Sequence, residues 1–181
     1  GAGKSTRMKA NKSKLLFDIA GKPIITHIIE SVRQAKCNEI ICVVNRESKD
    51  LVQLLKEHKV NIAFQKKSNG TAGAAEAGSK IISSKNRKVL ILCGDAPFIT
   101  TQSIKTMIKK ISNADACVGT VELDIPKGYG RIIRLGNKIS EIVEEKDSTI
   151  GQRSIREVNT GVISINNSIL NKYIPEIKNN N

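Results

Sequence analysis

Tryptophan is absent from the 181 residues and aromatic side chains make up only 3% of them, which leaves little material for the stacking platform of a single-strand nucleic-acid binder. Histidine is almost as scarce, with only His27 and His58, and the four cysteines, Cys37, Cys42, Cys93 and Cys117, are far apart. A zinc site or a disulfide framework would need closer pairs or more histidines. Three of the cysteines lie in apolar stretches (ICVV, LILCGD, ACVG) and read as buried thiols. Four prolines and 13 glycines exclude a fibrous or low-complexity chain. No apolar run approaches the roughly 20 residues needed to cross a bilayer, and GAGKSTRMK carries no apolar signal segment. We therefore expect no membrane insertion and a cytoplasmic location. What is present is 39% hydrophobic and 26% charged residues, enough for one globular domain that buries roughly 70% of its extended-chain surface. Lysine and arginine total 30 against 17 acidic residues, a formal charge of +13, so the surface field attracts anions. The lysines are spread along the chain rather than clustered, and no nucleic-acid partner is expected.

The spacing of apolar residues predicts a helix over residues 24–35, opened by Pro23, and a short strand over 39–44. Ser48 could cap a helix with a stripe of Leu51, Val52, Leu54 and Leu55. A strand over 60–64, a polar turn at 66–69, an Ala-rich helix over 71–82, a buried strand over 88–93 and a helix over 100–111 follow. This alternation predicts an α/β fold with a Rossmann-like, mostly parallel sheet covered on both faces. In such sheets ligands bind beyond the carboxyl ends of the strands, so the turn at 65–70 and Gly94-Asp95 should share one crevice. After residue 114 the texture becomes α+β, with three strand-rich stretches and a hairpin bend at Leu135-Gly136-Asn137. Residues 1–113 and 114–181 are thus expected to form a larger and a smaller part of one domain.

A glycine-rich phosphate loop normally follows a buried strand. None precedes Gly1, and the chain reads as a fragment whose first strand is missing. Gly-Lys-Ser within GAGKST suggests a nucleoside-triphosphate P-loop, but that pattern wants a further glycine separated from Gly-Lys-Ser by four residues, before Gly1, so the residues alone leave the reading open. Asp95 ends the strongest predicted strand, where a carboxylate is costly unless it is paired, hydrogen-bonded or metal-bound.

The order of motifs carries further. Gly1-Ala2-Gly3-Lys4-Ser5-Thr6-Arg7-Met8 with Lys14, then Gly70-Thr71, Gly94-Asp95-Ala96-Pro97, Gly128-Tyr129-Gly130-Arg131, Val143-Glu144 with Lys146-Asp147, and Glu157-Val158-Asn159-Thr160-Gly161 together resemble the sugar-nucleotide pyrophosphorylase family. The pattern is most similar to the uridylyltransferase domain of the bifunctional N-acetylglucosamine-1-phosphate uridylyltransferase/glucosamine-1-phosphate acetyltransferases. The resemblance implies a nucleotide-diphospho-sugar transferase fold in which residues 1–113 hold mainly nucleotide and 114–181 mainly sugar. It also implies transfer of uridylyl from UTP to N-acetylglucosamine-1-phosphate, yielding UDP-N-acetylglucosamine, a precursor of peptidoglycan and lipopolysaccharide, and pyrophosphate. Arg7 and Lys14 would be catalytic, with Lys14 also touching substrate; Ala2, Gly3, Lys4, Gln65, Gly70 and Thr71 would bind the nucleotide; Gly130, Glu144 and Asn159 would bind sugar, its N-acetyl group or ribose. Asp95 would ligate Mg2+, with a second ligand beyond Asn181. The family's C-terminal β-helix, which transfers acetyl groups and forms a homotrimer, has no counterpart in these residues, so the intact protein is expected to trimerise through it. Ser5 and Ser13 stand where the family has glycine and proline, and Gly70-Thr71-Ala72-Gly73-Ala74 departs from its Gly-Thr-Gly-His-Ala form. Another sugar-1-phosphate nucleotidyltransferase, or a noncatalytic nucleotide-binding module, therefore stays open as an alternative.

Overall fold

The computed structural model describes residues 13–65, 70–82, 84 and 87–177. A 3-10 turn at Lys14–Leu16 leads into a two-residue hairpin, β1 (Asp18–Ile19) and β2 (Lys22–Pro23), paired antiparallel. Ala20 and Gly21 both take positive φ there, as a tight primed turn requires. Pro23 then opens α1 (Ile24–Gln34), whose buried face is Ile25, Ile28, Ile29 and Val32, apolar positions three and four apart. β3 (Ile41–Val44), α2 (Lys49–Glu57) and β4 (Asn61–Phe64) form one strand-helix-strand crossover, and β3 pairs with β4 in parallel. Ser48 sits at the α2 N-cap without a side-chain cap bond; its Oγ instead donates to Asn45 Oδ1 at 3.5 Å. α3 (Gly70–Ser79), β5 (Lys88–Ile91) and α4 (Thr101–Lys110) follow, and Thr100 caps α4 by accepting from the Ser103 amide.

The remaining elements are β6 (Ala116–Glu122), β7 (Arg131–Leu135), β8 (Lys138–Val143), α5 (Ile150–Arg153), β9 (Glu157–Asn166) and α6 (Asn167–Tyr173). β7 and β8 form the hairpin expected around Gly136. β9 is the hub: it pairs antiparallel with β5, β6 and β7. The fold is α/β as expected, but the sheet is mixed rather than mostly parallel. The alternation of strands and helices sets the direction of β3 relative to β4. It does not reveal that β9, returning from the C-terminal part, would be the strand that hydrogen-bonds β5.

The core runs from Leu15 and Leu16 through the inner face of α1 to Cys42, Val44, Leu51, Leu55 and Ile104. Fully burying each such aliphatic side chain contributes about 1.5–3 kcal/mol. β5 is less enclosed than its sequence suggests, because Val89, Leu90 and Ile91 are only half-buried. Among the described residues β3 pairs only with β4, and β5 only with β9. Between β3 and β5 lies an apolar cavity of about 960 Å3, bordered by Ile41, Val43, Leu90 and Leu92 and by Ile28 and Ala75 from the helices. All four cysteines are free thiols; Cys42 is buried, while Cys37, Cys93 and Cys117 are half-buried.

Candidate active site

The cavity ends where β4 and β5 end, and there it gathers Lys14, Gln65, Gly70, Thr71, Gly94 and Asp95. Of the two loops expected to share a crevice, Gln65 and Gly70 from the first and Gly94 and Asp95 from the second line the same cavity. Each residue is delivered by a packed neighbour. Lys14 is carried by Leu15, which is completely buried, and Leu16, so its backbone is fixed while its side chain reaches out. Gln65 follows β4, accepts no exposure to speak of at 8%, and donates from Nε2 to Gly70 O at 3.4 Å. Gly70 and Thr71 open α3 on the exposed rim. Asp95 lies four residues beyond β5, with its carboxylate about half exposed.

Lys14 Nζ donates to Asp95 Oδ2 at 2.5 Å, across 81 residues of sequence. That bond is the main reason the Asp95 carboxyl lies below its usual range, partial burial opposing it. The two groups offer opposite charges at the mouth of one cavity: an ammonium able to meet a phosphate oxygen, and a carboxylate able to meet a cation.

The second group of predicted residues forms a separate knot on the β7–β8–β9 side. The Asn159 amide donates to Gly130 O at 2.9 Å, and Asn159 Oδ1 accepts from the Gly161 amide at 2.9 Å. Gly130 is buried, and a Cβ there would lie 3.2 Å from Glu144 Oε1 and from Ile142 Cγ2. Glycine at 130 therefore lets the Glu144 carboxylate lie against the chain while staying exposed to solvent. β9 links this knot to the cavity. Gly161 adopts φ +74, and a Cβ on it would stand 2.9 Å from Cys93 Sγ, two residues before Asp95. Tyr129 is exposed, so its side chain is not part of the core.

Ala2, Gly3, Lys4 and Arg7 lie outside the described residues. So does the predicted turn at 66–69. Two participants escape sequence reasoning. Cys93 contacts Gly161, and its thiol is pushed up by burial and by the Asp95 charge. Glu145 accepts from the Gly128 amide and pairs with Arg131; an acidic run, Glu144-Glu145 before Lys146-Asp147, was the sole trace of it in the sequence. Among the described residues, no three His, Cys, Asp or Glu side chains gather as a metal cluster, and no helix is long and apolar enough to cross a membrane.

Comparison with known proteins follows the same outline. The model of the MobA-like NTP transferase domain matches residues 1–155. The bifunctional protein GlmU of Staphylococcus epidermidis is 36% identical over 99% of this chain, and that of Staphylococcus haemolyticus is 33% identical over the same share. The chain spans about 40% of the length of these curated relatives. Among solved structures, a Bacillus anthracis protein assigned as a glucose-1-phosphate thymidylyltransferase superposes with a TM-score of 0.79 at 22% identity, covering 98% of this chain and 73% of that one. HddC from Yersinia pseudotuberculosis gives 0.74 at 20% identity, covering 95% and 75%. At those identities the likeness is one of fold.

Proposed function

The chain belongs to the MobA-like NTP transferase domain family, and from that premise we propose that it transfers uridylyl from UTP to N-acetylglucosamine-1-phosphate, with Mg2+ as cofactor. The observation that carries this reading is the convergence of Lys14, Gln65, Gly70, Thr71 and Asp95 on one cavity at the strand ends. The similarity to GlmU proteins over nearly the whole chain supports the choice of nucleotide and sugar.

In the proposed step an oxygen of the sugar phosphate attacks the α-phosphorus of UTP. The new O–P bond forms as the bond to the β-phosphate oxygen breaks, and pyrophosphate leaves with the electron pair. Both reactants are anionic, so the residues' first task is to neutralise them as charge moves in line. Lys14 Nζ exchanges its Asp95 partner for the α-phosphate, and Arg7 offers forked donors to the outer phosphates. Asp95, released, would be the residue to hold a hard divalent cation, which asks the protein for only one or two carboxylates. When bound, that cation supplies Lewis-acid polarisation of the phosphates. Gln65 presents an amide near the Gly70-Thr71 backbone and reads a base edge through paired donors and acceptors. Gly130, Glu144 and Asn159 face the sugar phosphate, Glu144 accepting from hydroxyls and Asn159 both donating and accepting.

Pyrophosphate release from UTP and N-acetylglucosamine-1-phosphate, with and without divalent metal, tests the reading. Release should require both substrates and the metal. Asp95→Ala should lower kcat about 100-fold or more while moving the thermal midpoint little, because the residue is half-exposed. Absence of release from folded protein with this pair would reject it. The Ala72-Gly73 departure favours one further comparison: replacing UTP by dTTP, CTP or GTP separates a uridylyltransferase from a relative with another nucleotide.

A further inference from the structure

Arg131 begins β7 at the point where that strand pairs with Val143 on one side and Val158 on the other, and its side chain is only 3% exposed. A guanidinium in that position is costly unless its nitrogens find acceptors. All three do. Nη1 donates to Tyr129 O; Nε and Nη2 both donate to Arg153 O at 3.4 Å; Nη2 reaches Glu145 Oε2 at 3.3 Å. The same Glu145 oxygen accepts from the Gly128 amide. One ion pair thus holds the amide of Gly128 and the carbonyl of Tyr129, which bracket the turn just before Gly130. From the other side Glu145 is tied to its own segment by Ser148 Oγ, which donates to Glu145 O at 2.7 Å, and Arg153 closes α5.

We propose that Arg131 and Glu145 form a positioning clamp that fixes the 128–130 turn, and through it the sugar-phosphate pocket built from Gly130, Glu144 and Asn159. The inference rests on the functional reading above for what the pocket holds, and on the clamp's own bonds for how it is held. The consequence is geometric. Gly130 O receives the Asn159 amide at 2.9 Å, and the Gly130 α-carbon admits Glu144 only where a Cβ would intrude. A turn free to move by an ångström would break both contacts, and a site misplaced by that distance loses much of its effect. Arginine is required because its planar fork serves three acceptors at once, whereas the ammonium of lysine is a single point charge.

Arg131→Lys and Glu145→Gln test the clamp by two readouts. Amide hydrogen exchange in 127–130 should accelerate at least about 10-fold in Arg131→Lys and less in Glu145→Gln, while α1 and β3 keep their protection. In turnover assays the KM for N-acetylglucosamine-1-phosphate should rise about 10-fold in Arg131→Lys, with the KM for UTP within twofold of the unsubstituted protein. Unchanged exchange at 127–130, acceleration spread evenly over the whole chain, or a parallel rise of both KM values would each overturn the clamp. Should Arg131→Lys not fold, Glu145→Gln decides alone, since Glu145 is partly exposed and its replacement keeps an acceptor. If the unsubstituted protein turns over no sugar phosphate, the functional reading falls, and the exchange measurement still decides the clamp.

Discussion

Between Leu15 and Ile104 the chain closes around one continuous apolar cluster, whereas β6 to β9 are joined by backbone ladders over a few buried apolar residues, Ile132, Val143 and Val158, and add a set of polar side-chain links. β8 leaves Lys138 to Glu141 exposed, and Leu135 is 79% accessible. Arg134 grips Glu157 with two bonds at 2.6 and 2.7 Å, Thr160 Oγ1 donates to Gly119 O at 2.6 Å, and all three Arg131 side-chain nitrogens donate. Apolar burial is strong and non-directional; hydrogen bonds add little net stability each but fix angles and distances. The first region therefore holds the domain together, and the second holds residues at set positions. The two regions meet at a seam where Gly161 of β9 packs against Cys93.

That contrast can be broken from either side. The largest effect should come from Leu51→Ala, since Leu51 is completely buried in the apolar region. A loss of about 2–5 kcal/mol is expected in denaturant unfolding, with kcat of the remaining folded protein unchanged. At the seam, Gly161→Ala should cost about 1–3 kcal/mol through its φ of +74. It should also lower activity, and adding Cys93→Ala should return only the part due to the 2.9 Å Sγ contact; full restoration would show that backbone conformation is immaterial there. The smallest effect belongs to the polar region. Arg134 holds the Glu157 carboxyl down to about 2 from a usual 4.5. The folded state thus prefers the ionised form, so this contribution is complete above about pH 4.5 and fades as pH falls toward 2. Arg134→Gln should flatten stability against pH in that window only slightly, because Arg134 is exposed, and added salt should mimic it.

Local elements were legible because their cause is local. The four-residue stripe of Ile25, Ile28, Ile29 and Val32 writes α1 into the sequence within a residue of its observed end. The β1–β2 hairpin was not legible: its turn is Ala20-Gly21, and alanine at φ +50 gives no warning. Strand partners were equally hidden, since nothing in β5 says that it will meet β9 some 70 residues later. In the site, the rule that ligands lie beyond strand ends, joined to the family resemblance, brought Gln65, Gly70 and Asp95 together correctly. The Lys14–Asp95 bond and the Arg131–Glu145 pair could not be foreseen, because charge pairing across 81 or 14 residues leaves no periodic trace.

The cavity between β3 and β5 has a consequence for handling the chain. Among the described residues, the edges of β3 and β5 that border the apolar slot have no strand partner, and such edges present amides and carbonyls in the spacing that another extended backbone would match, the geometry by which chains recruit one another. Such recruitment is at least second order in chain. Loss of this polypeptide from solution should therefore steepen with its concentration, which light scattering over a dilution series checks.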